Sequence, residues 1–292
     1  MRVLILGGSG MLGHKLVQVL GEEFAVYSTT RSSFSELLEY KIFDEESTIT
    51  GFDAMREGPI RKAIEACSPD VVINAIGMVK QRPESDDIVQ AVTLNTILPH
   101  MCAKLASDYG FRFITVSTDC VFSGKKGDYS EVDDPDAEDL YGQTKHWGEV
   151  VGENCLTLRT SIIGRELWST RGLIEWFLSN RGNSVSGYAS AIFSGFPTVV
   201  FADIIKRLIT EHKDISGVYH VSSDPISKFD LLCLANEHFD AGIQVVRSDK
   251  VTIDRSLNSH KFRMATGIRP RPWPEMMATM ASDPTPYDKW RN

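Results

Sequence analysis

The chain is 292 residues long, 42% hydrophobic, and carries a formal net charge of −8. That length supports a substantial core in one large domain or two interleaved ones, and an acidic chain with no Lys/Arg-rich run excludes a general nucleic-acid surface. The five cysteines, Cys67, Cys102, Cys120, Cys155 and Cys233, are odd in number and form no Cys-x-x-Cys pair, so reduced thiols are expected instead of a disulfide frame or a zinc site. No apolar run approaches the ~18–20 residues of a membrane span, and no leader pattern precedes the first apolar run, so a cytoplasmic protein with no membrane partner is expected.

Residues 2–6, Arg-Val-Leu-Ile-Leu, read as a buried strand, and Gly7-Gly8-Ser9-Gly10-Met11-Leu12-Gly13 follows at once. Leu12, Leu16, Val19 and Leu20 then recur at helical spacing. Strand, glycine turn and helix in this order suit a dinucleotide. Gly7 permits the tight turn, Gly10 admits a pyrophosphate to the backbone, and Gly13 lets helix and strand pack closely; the helix N-terminus adds N–H groups and partial positive charge.

The second strand, 25–28, ends in Thr29-Thr30-Arg31-Ser32-Ser33. No Asp or Glu stands there to take both ribose hydroxyls, whereas Arg31 and the hydroxyls suit a 2′-phosphate, so NADPH is expected with NADH possible. A third strand is expected at 49–53, with Asp53 either beneath the adenine or capping the helix through 60–66. Residues 70–77 form a clearer buried strand and turn, in which Asn74, Ala75 and Ile76 bring backbone to the dinucleotide. A helix over 88–109, interrupted by Pro99, contains Asn95, read either as the cap of a kink or as support for the site.

The run 111–116 reads as another buried strand and ends in Ser117-Thr118-Asp119-Cys120-Val-Phe-Ser-Gly124. An acidic loop leads to Tyr141-Gly-Gln-Thr-Lys145-His-Trp-Gly-Glu149. Tyr141 and Lys145 stand four apart, hence on one helix face a turn apart. An ammonium beside a phenol stabilises the phenolate; a drop of ~2–3 units from the reference value of about 10 lets such a tyrosine exchange a proton near neutral pH. A hydroxyl at a strand's carboxyl end and a Tyr/Lys helix soon after it suit one crevice.

Beyond this, 155–160 reads as a strand, 173–177 as a helix, and 185–193 as a polar, Gly-containing stretch. A helix over 201–211, a last clear strand at 217–221 and a helix over 227–239 follow, and the tail from 253 to 262 carries polar groups. The end, 284–292, is expected to be frayed or packed only through Tyr287 and Trp290. Glu131, Asp133 and Asp134 read as a solvated loop, and no metal site is expected.

Gly7-x-x-Gly10-x-x-Gly13, Asn74-Ala75, Ser117-Thr-Asp-x-Val-Phe-x-Gly124 and Tyr141-Gly-x-Thr-Lys145-x-x-Gly-Glu149 together resemble an extended short-chain dehydrogenase/reductase of the dTDP-4-dehydrorhamnose reductase group. The resemblance continues through Arg159-Thr-Ser161, Pro197-Thr198, Gly217-Val-Tyr-His220 and the stretch from Arg255 to Phe262. It implies an α/β fold: a doubly wound, Rossmann-type parallel sheet binding NADP(H) over 1–160, with 199–221 returning to it, and a smaller substrate lobe mainly within 161–292. It also implies that Tyr141 protonates the C4 oxygen of a nucleotide sugar, that Lys145 holds the nicotinamide ribose and lowers the pKa of Tyr141, and that Thr118 hydrogen-bonds the same oxygen. Ser117, Asp119, Cys120, Ile162 and Arg255 are the implied substrate contacts; Gly7, Ser9, Gly10, Met11, Leu12, Gly13, Arg31, Asn74, Ala75, Ile76 and Lys145 are the implied cofactor contacts.

The group commonly carries Tyr at Cys120, Asp at Ser123 and an aromatic, often Trp, at Ile162, so the sugar stays open between a dTDP-linked 6-deoxy-4-hexulose and a UDP-2-acetamido-2,6-dideoxy-4-hexulose. Two other readings remain: a non-catalytic NADP-binding regulatory subunit of the same fold, and an epimerase retaining tightly bound NAD, against which the missing acid after the second strand counts. A monomer or homodimer is expected, with the nucleotide sugar as partner.

Overall fold

The computed structural model describes residues 1–78 and 87–290; the last two residues of the expected tail lie outside that range. The described chain forms two compact units, one of residues 1–117, 138–158 and 202–219, the other of 118–137, 159–201 and 220–292.

The first unit is built on a parallel sheet. Strands β1 (Arg2–Leu6), β2 (Ala25–Thr29), β3 (Thr48–Ile49), β4 (Val71–Asn74), β5 (Arg112–Thr118) and β6 (Cys155–Thr160) are joined in it by a strand at Gly217–His220, giving seven strands among the described residues. From one edge, the order is Gly217–His220, β6, β5, β4, β1, β2, β3, and β1 pairs in parallel with both β2 and β4. The order reverses at β1, the place where open α/β sheets bind ligands beyond the strand ends. Val3, Leu4, Ile5 and Leu6 are buried without exception, as strands covered on both faces require.

Helices α1 (Gly13–Gly21), α2 (Phe34–Leu37), α3 (Glu57–Cys67), α4 (Ile88–Val92), α5 (Leu98–Tyr109) and α6 (Leu140–Trp147) follow in the same unit. Leu4, Leu6 and Val72 of the sheet, Ile60 and Ile64 of α3, and Leu98 and Leu105 of α5 share one core. Two expectations need correction here. The third strand is only two residues long, because the chain turns at Gly51 and Asp53. Asp53 does not cap α3, whose N-cap is Arg56; its carboxylate instead accepts from Met55 N at 2.9 Å and Arg56 Nε at 2.7 Å.

The expected break at Pro99 also lies elsewhere. Residues Thr93–Ile97 form a π turn between α4 and α5, and Pro99 sits in the first turn of α5, where its missing N–H costs little. Without that N–H the Asn95 carbonyl lacks its usual partner four residues on, and the backbone of Gly148 approaches it. A Cβ built on Gly148 would come within 1.8 Å of the Asn95 oxygen, so this contact admits only glycine.

In the second unit, β7 (Ile162–Ile163) pairs with β9 (Phe196–Pro197), and β8 (Ser184–Phe193) is the middle strand of a separate sheet. The unit also holds α7 (Leu173–Leu178), and α8 (Thr198–Thr210) begins in it and returns the chain to the first unit. With β10 taken as Gly217–His220, the chain continues through β11 (Ile226–Ser227), α9 (Lys228–His238), β12 (Gln244–Asp254), α10 (His260–Thr266) and α11 (Trp273–Ala281). β8 pairs antiparallel with β11 and parallel with β12. The polar stretch at 185–193 is therefore a strand, and 217–221 is not the last one. β12 lies at a sheet edge with most of its side chains exposed, and such a strand needs no apolar alternation.

The end of the chain is packed through Arg165. Its buried guanidinium donates from Nε to Glu175 at 2.6 Å, pairs with Asp288, and lies 4.8 Å from the centre of the Tyr287 ring. Gly148→Ala is expected to destabilise the fold by about 1–3 kcal/mol through forced displacement of α6 from the π turn. Chemical denaturation measures this; an unchanged midpoint would show that the approach is not tight.

Candidate active site

The glycine turn after β1 has the form a dinucleotide needs. Gly7 adopts φ +85°, Gly10 N donates to Gly7 O at 3.1 Å, and a Cβ at Gly13 would strike Gly7 O at 2.0 Å. α1 starts at Gly13 with Leu12 as an N-cap that makes no side-chain bond, which leaves first-turn amides to be satisfied by something other than a cap. Thr29 Oγ1 accepts from Gly7 N at 3.1 Å, and Ser9 Oγ and Thr30 Oγ1 are 3.0 Å apart. Ser9 is thereby tied to the end of β2, while Arg31 just beyond is exposed. Met11 and Leu12 lie in the same turn.

β4 supplies the other wall. Asn74, 1% exposed, donates from Nδ2 to Thr115 Oγ1 at 3.2 Å and accepts from Ile76 N at 3.1 Å, while Ala75 N donates to Leu6 O at 3.0 Å. Asn74, Ala75 and Ile76 are thus fixed beside the end of β1. These residues fit a bound ADP moiety: the cradle offers bare backbone where a Cβ would intrude, and a cation follows β2.

α6 carries Tyr141 and Lys145. The Asp139 side chain caps it by accepting from Gly142 N at 3.0 Å, and Tyr141 and Lys145 occupy adjacent turns of one face. Lys145 is buried, and its Nζ donates to Val116 O at 2.8 Å. Burial pulls the ammonium down to about 8, against the opposing pull of the Glu149 charge. A methyl group on Gly77 would lie 3.9 Å from Lys145 Nζ, so the loop after β4 passes beside the lysine.

Asn95 supports the site more than it caps a kink. Its side chain accepts from Met78 N at 2.8 Å and donates to Met78 O at 3.3 Å and Thr144 Oγ1 at 3.1 Å. Thr96 Oγ1 donates to Thr144 O at 2.7 Å. The π turn therefore ties the loop after β4 to α6 next to Lys145. Thr144 and the neighbouring Glu149 had no role in the sequence reading; the signal available was a hydroxyl beside the lysine and an acid one turn beyond it.

The remaining candidates lie in the second unit, except Ser117, whose hydroxyl donates to Glu149 at 2.7 Å. Thr118 Oγ1 donates to Asp119 Oδ1 at 3.1 Å and accepts from Cys120 N at 3.1 Å. Burial raises the Asp119 carboxyl, opposed chiefly by the Arg255 charge. Arg255 itself donates from Nε to Phe122 O at 2.7 Å. Thr118, Asp119, Cys120 and Arg255 thus gather at one place, while Ile162 lies in the β7–β9 ribbon, opposite Phe196. Glu131 is engaged, accepting from His220 N at 2.8 Å. Among the described residues there is no group of three or more His, Cys, Asp or Glu able to hold a metal.

The depressed lysine has a stability consequence. Between its folded value of about 8 and the unfolded value of roughly 10.4, the unfolded chain binds the extra proton, so stability rises with pH across that window. Lys145→Met, which removes the titrating group, is expected to flatten that rise in stability between about pH 8 and roughly 10.4. Urea denaturation at several pH values measures it, and a variant that keeps the full rise would contradict the assignment.

A family model described as the RmlD substrate binding domain matches residues 1–285. Over 93% of this chain and 95% of its own length, the dTDP-4-dehydrorhamnose reductase of Aggregatibacter actinomycetemcomitans is 24% identical. The methionine adenosyltransferase 2 subunit beta of Danio rerio is 26% identical over 82% of this chain and 74% of its own length. Among solved structures, dTDP-4-dehydrorhamnose reductase from Bacillus anthracis in complex with NADP superposes with a TM-score of 0.78 at 20% identity, covering 96% of this chain and 98% of that one. The glycine cradle, the α6 pair and a match running nearly end to end place this chain in the RmlD substrate binding domain family.

Proposed function

We propose that the protein is an NADPH-dependent reductase of the C4 keto group of a nucleotide-activated 6-deoxy-4-hexulose, working in the supply of sugars for surface polysaccharide. The observation that carries this reading is a buried Lys145 one turn from Tyr141, on a helix tied through Asn95 to the loop that follows β4. The similarity to a dTDP-4-dehydrorhamnose reductase supports the substrate class. In this reading the first unit binds NADPH and the second holds the sugar nucleotide.

The nicotinamide, when bound, supplies the hydride. Tyr141 gives a proton to the C4 oxygen as negative charge develops there, Lys145 holds the nicotinamide ribose and the charge left on the phenol, and Thr118 donates to the same oxygen. Thr118 has one hydroxyl hydrogen, directed at Asp119, so it must turn from that carboxylate to serve the substrate. Arg31 takes the 2′-phosphate, and Ser117, Asp119, Cys120, Ile162 and Arg255 contact the sugar nucleotide.

Ile162 favours a second sugar. An aliphatic side chain opposite Phe196 leaves a smaller apolar surface than the group's usual aromatic, and suits a UDP-2-acetamido-2,6-dideoxy-4-hexulose. The likeness to a methionine adenosyltransferase subunit beta makes a regulatory subunit the reading to exclude by experiment.

NADPH absorbance followed with each of the two enzymatically generated 4-keto sugars tests the proposal. One substrate is expected to turn over, with Tyr141→Phe slower by roughly 10²–10⁴-fold. Cofactor binding without turnover of any 4-keto-6-deoxy nucleotide sugar, together with a stable partner enzyme in native pull-down, would replace it with the regulatory reading. Arg31→Ala is expected to cut the NADPH-over-NADH preference roughly tenfold, the size of one charge-assisted hydrogen bond; an unchanged ratio would remove Arg31 from the phosphate site.

A further inference from the structure

Glu149 is a buried acid that none of the steps above uses. It follows Lys145 by four residues, just past the end of α6. There Gly148 N donates to the carbonyls of Thr144 and Lys145, and Glu149 N donates to His146 O at 3.0 Å. The turn brings the carboxylate to β5. Its side chain is only 5% exposed; Oε1 accepts from Ser117 Oγ at 2.7 Å and Oε2 lies 3.1 Å from His146 Nδ1. Ser117 directly follows Val116, whose carbonyl takes the Lys145 ammonium. The acid and the ammonium are therefore fixed on consecutive residues of one strand.

A carboxylate withdrawn from water is retained at a cost unless it is hydrogen-bonded and faces a cation. Lys145 is that cation. α4 and the π turn, which pack against α6, contain no ionisable side chain. α5 presents His100, held on the Trp147 carbonyl, and Arg112 of β5 donates to the carbonyls of Leu208 and Ile215. α5 also carries Lys104, Asp108 and Tyr109; on α6 and the turn after it the ionisable side chains besides Lys145 are Tyr141, His146 and Glu149. Glu149 is the charge opposing the desolvation of Lys145.

We infer that Glu149 is a positioning residue for the Tyr141/Lys145 pair: anchored on Ser117, its buried charge keeps Lys145 in the ammonium form that the phenol depends on. This deepens the reductase reading and rests on it for its catalytic meaning, while the charge coupling itself is measurable without turnover.

The experiment compares Glu149→Gln, which keeps the shape and loses the charge, with Glu149→Asp, which keeps the charge and shortens the reach. Competitive amine labelling, read by mass spectrometry at Lys145 across pH, reports the lysine directly; the pH profile of NADPH-dependent turnover reports its effect on the reaction. Removing a negative charge lowers a lysine's pKa, so Glu149→Gln is expected to move the labelling midpoint and the alkaline limb of turnover down by ~1 pH unit. Glu149→Asp stays with the wild type. A purely structural role gives the reverse order, with Gln unchanged and Asp impaired. An unmoved labelling midpoint in Glu149→Gln overturns the proposal; if that variant does not fold, Ser117→Ala, which frees the acid from its anchor, replaces it, with a smaller downward shift expected and an unmoved midpoint again decisive. A midpoint that moves in protein turning over no sugar upholds the coupling and removes the reductase reading alone.

Discussion

The constraint on which the first unit depends is an ammonium held out of water. Lys145 has one backbone carbonyl, that of Val116, and the charge of Glu149 to offset what burial removes, and a cation so placed is tolerated only when its surroundings are fixed. Those surroundings are built from local irregularities. A π turn turns Asn95 inward, Pro99 leaves the Asn95 carbonyl without its helical partner, and Gly148 lets α6 close on that carbonyl. Remove any of these and the lysine loses its place at the end of β5. π bulges occur often at functional sites, and here the bulge links the loop after β4, α6 and the lysine through a single amide side chain.

The glycine cradle meets this arrangement through β4. Gly7 and Gly13 bring β1 and α1 together, and Asn74 fixes the chain leaving the neighbouring strand. The loop that Asn74 shapes is the one that runs past Lys145. The cradle and α6 thus lie within one unit, joined through the loop after β4, as the proposed path of a dinucleotide requires. The second unit gathers its own polar cluster, with Asp119 desolvated beside Arg255 and next to Thr118. That carboxyl accepts the Thr118 hydroxyl hydrogen.

Features encoded locally were legible in the sequence. The strand, glycine turn and helix at the start depend on residues within about a dozen positions of one another, and so do Tyr141 and Lys145 on α6, whose spacing was read together with the strand end before it. The doubly wound sheet followed from those signals and from the family motifs. What escaped lacked a pattern of its own or depended on partners far along the chain. Asp53 was left open between a place beneath the adenine and a helix cap, because its neighbours allow either; its carboxylate instead takes the Arg56 guanidinium three residues on. The bulge at Thr93–Ile97 has no signature of its own; the visible proline suggested a break a few residues too late. β12 is an exposed edge strand with charges along it, and hydrophobic alternation is silent about such strands. Glu149 stood inside a recognised motif, yet its role becomes visible only when Ser117, far earlier in the chain, is seen to hold it.

The central claim is that this chain moves a hydride from NADPH to carbon 4 of a nucleotide sugar with Tyr141 as the proton donor. The most direct measurement uses NADPH carrying deuterium at the transferable position of the nicotinamide, with mass spectrometry and NMR of the sugar product. The account predicts one deuterium at carbon 4 of the reduced sugar with wild-type protein, and incorporation slower by roughly 10²–10⁴-fold with Tyr141→Phe. Deuterium retained entirely on the cofactor, in protein shown to bind both NADPH and the nucleotide sugar, would contradict it.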